Sequence, residues 1–213
     1  MTIADNRETT YSTSRKGGLF HDILHDMRKS LRGDVHTIVE IRQELDRLLR
    51  KNAKLVDVLR LHHDYMKESL VICLDRDTKD EEKQQHLDRL LQLFEMHAKA
   101  EEQTLYKVLI ASSEKEQRVE GNLAQDEHEL IYQVMDDLRD MHFMSLWTED
   151  VEAKSMMLCE LIANHFKKEE AEVFPLATDK VNSGQLNDLT SDYISLCDNY
   201  LGMSEIRAKG IFL

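Results

Sequence analysis

Two stretches of the chain set a histidine and a glutamate four residues apart beside a run of leucines, and the stretches are near copies of each other. In the first, Leu90, Leu91, Leu93 and Phe94 lead into His97-Ala98-Lys99-Ala100-Glu101-Glu102-Gln103-Thr104-Leu105-Tyr106. In the second, Leu158, Leu161 and Ile162 lead into His165-Phe166-Lys167-Lys168-Glu169-Glu170-Ala171-Glu172-Val173-Phe174. Residues four apart share a helical face, so each copy presents an imidazole and a carboxylate next to the leucines that should face a core. Imidazole nitrogen and carboxylate oxygen are donors suited to divalent transition metals. The spacing alone is weak evidence: ten histidines and 41 acids in 213 residues give roughly two such pairs by chance. A third pair, His36 with Glu40, does occur.

Two single histidines extend the pattern. His63 has Leu59 four before it, Met66 three after and Leu70 seven after; His128 has Ala124, Ile131 and Met135 at the same offsets. The chain therefore reads as an internal repeat of two hairpins, 55–110 and 119–174. Each has one helix with a lone inward histidine and one with the His–Glu pair. His62 competes with His63 for the inward position, and the neighbours of His63 match those of His128 better. At ~1.5 Å per residue, His63 and His97 come within ~5 Å in height, and the middle loop fits less well, by about five residues. Four histidines and two glutamates meeting in an apolar interior would be costly without a partner. A metal pair would satisfy them, and bundle cores with inward Glu and His are a known setting for one.

These residues resemble the hemerythrin-like, or HHE cation-binding, family over about residues 55–180. The resemblance implies a non-haem di-iron centre: two iron ions, oxo-bridged, with two bridging glutamates. Carried over residue by residue, the metal ligands are His63, His97, Glu101, His128, His165 and Glu169. The oxygen-carrying members have a further histidine one turn after the third-helix ligand, and here that position is Tyr132. Tyr132 could hydrogen-bond to a bound oxygen species, fill an open coordination position, or be an ordinary core tyrosine. Glu102 and Glu170, one step round from the implied ligands, read as surface or outer hydrogen-bonding groups. A four-His, two-Glu set is closer to bacterial members that handle nitric oxide or repair iron centres. Those carry a cysteine-bearing N-terminal domain, whereas residues 1–54 contain no cysteine.

The function implied is binding or sensing of O2 or NO. One alternative is a di-iron enzyme that reduces NO, peroxide or O2, or donates iron for repair; no flavin, nicotinamide or iron–sulfur motif supplies electrons, so it would need an external donor. Another is a metal-free helical scaffold. The donor types also tolerate manganese or a mixed pair.

The elements that must position these residues read as all-α. Leu, Glu, Lys, Gln, Met and Ala dominate, with seven glycines and one proline. A helical pattern spans 19–74, broken near Gly33 and near Lys51-Asn52, with Asp34 placed to cap the stripe Val35, Ile38, Ile41, Leu45 and Leu48. Helices are expected over 55–74, 81–110, from near Gly121-Asn122 to 143, and from the cap at Thr148 to 174, where Pro175 should stop the chain. A last helix follows over 186–201. The economical architecture is an up-down-up-down four-helix bundle over 55–180, with 1–54 as a helical extension and 181–213 as a C-terminal helix and tail.

The formal charge of −13 argues against nucleic-acid or anionic-membrane partners. No apolar run approaches the ~20 residues of a membrane span, and the first residues lack a signal-peptide layout. Cys73, Cys159 and Cys197 are widely spaced and read as buried thiols of a cytoplasmic protein. The N-terminal helices could serve a protein partner or a homo-oligomer. His21 with His25 and the apolar end Ile211-Phe212-Leu213 are weaker candidates for a second metal site and a docking tail.

Overall fold

Good helix formers fill nearly every segment, and the computed structural model, which describes residues 38–51 and 53–208, contains six continuous helices and no strand among them. They are α1 (Ile38–Arg50), α2 (Leu55–Leu74), α3, α4 (Lys115–Asp140), α5 and α6 (Ser183–Ala208). Helix α3 runs Asp80–Glu101, passes through a π-helical turn at Glu102–Tyr106 and ends in Lys107–Ile110. Helix α5 repeats that plan with Glu149–Lys168, a π-helical turn at Glu169–Val173 and a final Phe174–Lys180. His21, His25, Gly33, Asp34, His36 and the Ile211-Phe212-Leu213 end lie outside the described residues.

Helix α5 begins as its sequence demands. The Thr148 hydroxyl accepts the Val151 N–H at 3.2 Å, and Glu149, Asp150 and Glu152 sit in the first turn against the positive end of the helix dipole. Helix α3 likewise opens on Asp80, Glu81 and Glu82.

Helices α2 to α5 close a ring: α2 packs on α3, α3 on α4, α4 on α5, and α5 back on α2. Helix α6 lies against α2 and α3, and α1 packs on α6, burying Ile41 and Leu45. Leu59, Met66, Leu70, Leu87, Leu90, Phe94, Leu158, Ile162 and Phe166 fill the ring's interior, all fully or almost fully buried. Each contributes about 1.5–3 kcal/mol relative to exposure.

Several expected boundaries move: α4 ends at Asp140 instead of 143 and α6 spans Ser183–Ala208 instead of 186–201, and two further shifts have a visible cause. Helix α4 starts at Lys115, before Gly121, and Gly121 sits inside it. A Cβ at Gly121 would stand 3.0 Å from both Ile110 Cγ1 and Leu109 Cβ, so the glycine permits the end of α3 to approach α4 closely and does not mark a turn. The earlier start also removes the mismatch at the middle loop: His97 lies thirteen residues before Ile110, and His128 thirteen after Lys115.

Pro175 does not stop its helix, which continues to Lys180. The π-turn restarts the α-helical register at Phe174, placing the proline in the first turn of the new segment, where a missing N–H and a fixed φ are tolerated.

Candidate metal centre

His63 from α2, His97 and Glu101 from α3, His128 from α4 and Glu169 from α5 are all 0% exposed, and His165 of α5 is 3% exposed. They meet at one level of the core. The Nε2 atoms of His63 and His97 stand 3.2 Å apart, and those of His128 and His165 stand 2.9 Å apart. Glu169 Oε2 lies 3.2 Å from His63 Nε2 and 3.3 Å from His165 Nε2. Glu101 Oε2 lies 3.3 Å from His97 Nε2 and 4.0 Å from His128 Nε2. Each carboxylate thus reaches from one histidine pair to the other.

The opposite ring nitrogens fix the tautomers. His63 Nδ1 donates to Glu170 Oε1 at 2.8 Å, His128 Nδ1 to Glu102 Oε1 at 3.2 Å, and His165 Nδ1 to Glu127 Oε2 at 2.9 Å. An ionised carboxylate only accepts, so these Nδ1 atoms carry the hydrogen and the Nε2 lone pairs turn inward. Lone pairs facing at such distances repel unless a positive charge stands between them. Both oxygens of Glu101 and Oε2 of Glu169 are buried and accept no hydrogen bond. An apolar core carrying such groups bare is unfavourable, and the same groups are the donor set of a cation site. Glu101, His128, His165 and Glu169 offer ligand atoms within 4.8 Å of one another, as do His63, His97 and Glu169. The residues present fit a metal.

Lysines hold the outer carboxylates in turn. Lys67 Nζ donates to Glu170 at 3.0 Å, Lys168 to Glu127 at 2.9 Å and Lys99 to Glu102 at 3.3 Å. Tyr132 donates to Glu102 Oε1 at 2.9 Å, which places its hydroxyl one layer outside the cluster. The π-turn begins directly after Glu101 and at Glu169, and there successive glutamates approach opposite nitrogens of one ring. Glu169 faces Nε2 and Glu170 Nδ1 of His63, while Glu101 faces Nε2 and Glu102 Nδ1 of His128. Such turns recur at functional sites.

Two tyrosines complete the surroundings. The Tyr106 hydroxyl donates to Glu169 Oε1 and lies 3.3 Å from His128 Nε2. The Tyr193 hydroxyl, from α6, meets His97 Nδ1 at 2.8 Å and His62 Nδ1 at 2.7 Å. His63 therefore faces the cluster and His62 faces away from it.

Burial pushes His62 down to about 3 and His128 to about 4, and it holds His97 well below its ordinary value. Burial acts on His63 too, but its contacts with Glu169 and Glu170 outweigh it and raise the imidazole. Burial, then the neighbouring Glu169, drives Glu101 well above the carboxylate range. Glu169 resists its own burial and stays low because His165 and His63 face it. Two such carboxylates cannot both ionise without nearby positive charge.

Sequence reasoning passed over Glu127, Tyr106 and Tyr193. Glu127 carried a signal, an acid adjacent to a lone inward histidine. Tyr106 carried another, a hydroxyl at the position where the second copy has Phe174. Tyr193 had none, since it lies on a helix with no chemistry-bearing motif. The three cysteines are buried and free, and none joins the cluster. Among the described residues, no helix is long and apolar enough to cross a membrane.

Residues 19–177 match the family model described as the Hemerythrin HHE cation binding domain. No curated protein and no solved structure matches the chain.

Proposed function

The chain belongs to the hemerythrin HHE cation-binding family, and on that premise we propose that it holds two iron ions and binds or senses a small diatomic, O2 or NO. The observation that carries this reading is the pairing of Nε2 atoms, His63 with His97 and His128 with His165, with Glu101 and Glu169 reaching between the pairs. His63 and His97 would hold one ion, His128 and His165 the other, and both glutamates would bridge. The mix of imidazole nitrogen and hard carboxylate oxygen donors suits iron, and the four histidines and two glutamates would hold the pair. When bound, the pair supplies reversible ligation and one-electron redox chemistry to the diatomic.

The chain's own residues shape what can enter. Phe166 stacks on His63 with ring centroids 3.9 Å apart, Phe174 lies 5.5 Å from the same ring, and Phe94 meets His128 edge-on at 5.5 Å. These apolar walls exclude water and favour a small neutral molecule over an anion. The Tyr106 O–H, which donates to Glu169, is the hydroxyl nearest the cluster and can turn its hydrogen bond toward an entering ligand. The outer Glu–Lys pairs fix the imidazole orientations.

The test is anaerobic loading with ferrous iron, followed by metal analysis and absorption spectra before and after O2 or NO. Two irons per chain and a reversible adduct support the reading. Repeated turnover of O2, NO or peroxide with an added reductant would make the protein an enzyme instead. Folded protein that retains no iron would sink both.

A further inference from the structure

The internal repeat assigns every histidine an outer partner, and one partner is missing. Glu102 and Glu170, each directly after a cluster glutamate, take His128 and His63. Glu127, directly before His128, takes His165. By the same symmetry the residue directly before His63 should take His97, and that residue is His62. An imidazole stands where the other half has a carboxylate.

The gap is filled from outside the repeat. The ring centroids of His62 and His97 are 6.0 Å apart, and the Tyr193 hydroxyl sits between their Nδ1 atoms at 2.7 and 2.8 Å. Tyr193 is 0% exposed and belongs to α6, which begins at Ser183, beyond the family-matching residues. An imidazole that binds a metal through Nε2 carries its hydrogen on Nδ1. His97 then donates to Tyr193, and the tyrosine O–H donates to His62 Nδ1. In that direction His97 Nδ1, the tyrosine hydroxyl and His62 Nδ1 are each paired, while His62 Nε2 is buried without a partner.

We propose that Tyr193 is a positioning residue for His97, standing in for the missing carboxylate, and that α6 docking and metal binding are therefore coupled. This rests on the metal reading of the cluster. The coupling is reciprocal: a loaded site fixes the His97 tautomer that α6 grips, and a docked α6 holds His97 in its ligating orientation. It also makes the histidines unequal, because His97 alone has a neutral outer partner where the other three have carboxylates.

The experiment compares ferrous-iron affinity, by anaerobic chelator competition, in the wild type, Tyr193→Phe and His62→Glu/Tyr193→Phe. Tyr193→Phe is expected to lose about 10–100-fold in affinity, and His62→Glu to restore most of it by giving His97 a direct carboxylate. Hydrogen exchange of the wild type supplies a readout that needs no variant: amides over 183–201 should slow on iron loading, along with those of α2 to α5. Wild-type protein that binds no iron would remove the metal reading itself. Iron binding in the wild type with equal affinity in Tyr193→Phe would overturn the proposal alone. So would a loss that His62→Glu leaves unrestored, or α6 exchange that ignores the metal.

Discussion

Glu101 and Glu169, each four residues after a cluster histidine, bring ligand atoms within 4.8 Å of each other in the fully buried centre of the core. No hydrogen-bond donor reaches either oxygen of Glu101. Such a pair is a burden on the metal-free fold and an asset to the loaded one. Binding that saturates at about 1,000 times Kd adds about 4 kcal/mol, which for a chain of this size raises Tm by roughly 8–16 °C. Calorimetry with ferrous iron and with excess chelator should show that gap. Identical Tm values would contradict the placement of a metal here.

Glu101→Gln separates the charge from the shape. The amide fits the same space, removes the repulsion with Glu169, and can donate toward the inward lone pair of His97. The metal-free variant should be as stable as the wild type or more so, by about 1 kcal/mol. Its metal content should fall by at least half, and the thermal shift on loading should shrink with it. Denaturation curves and metal analysis on one preparation read both effects; a less stable variant with full metal content would refute the argument.

The metal-free protein should lose stability in mild acid. His62 and His128 titrate at about 3 and about 4 in the fold, against an ordinary 6.5, and His97 is also held down by burial. Between pH 6.5 and about 4 the unfolded chain binds protons that these three histidines refuse in the fold, so their contribution to stability is full above pH 6.5 and falls below it. Glu101 and Asp88, both raised by burial, oppose this in that window, because each binds its proton in the fold first. His63, also raised, is protonated in both states there and acts above the window. Its contribution is full below pH 6.5 and is lost as pH rises through its folded value, which offsets part of the loss from the three depressed histidines. Urea midpoints at pH 7.5 and 5.0 check the sign: a higher midpoint at pH 5.0 would reverse the claim.

How much of this was legible in the sequence depends on range. The helices, the Thr148 cap, the His–Glu repeat and the preference for His63 over His62 all follow from spacings of three, four and seven residues, which a helix converts directly into a shared face. The π-turns left no such trace. They fall within an unbroken helical pattern, so Pro175 reads as a stop. Gly121 reads as a start for a separate reason, because a glycine set by close helix packing is indistinguishable in sequence from one set by a turn. The outer partners divide the same way. Glu102 and Glu170 could be suspected from adjacency to the repeat, whereas Tyr193 reaches His97 from ninety-six residues away and is set there by helix packing alone.

Gly121→Ala tests scaffold and site apart. The added methyl would stand 3.0 Å from Ile110 Cγ1 and Leu109 Cβ and 3.1 Å from the Ile110 backbone nitrogen, so α3 and α4 must separate slightly at that end. Overpacking of this kind costs about 1–3 kcal/mol. Gly121 lies nearly two turns before His128 on the same helix, and the tight contact involves the end of α3, beyond the cluster residues. The variant should melt several degrees lower, yet bind as much metal as the wild type, and keep its thermal shift on loading. Loss of metal in step with stability would mean that the histidines depend on the spacing of the α3–α4 end, and that the site is less insulated from the scaffold than its own hydrogen bonds imply.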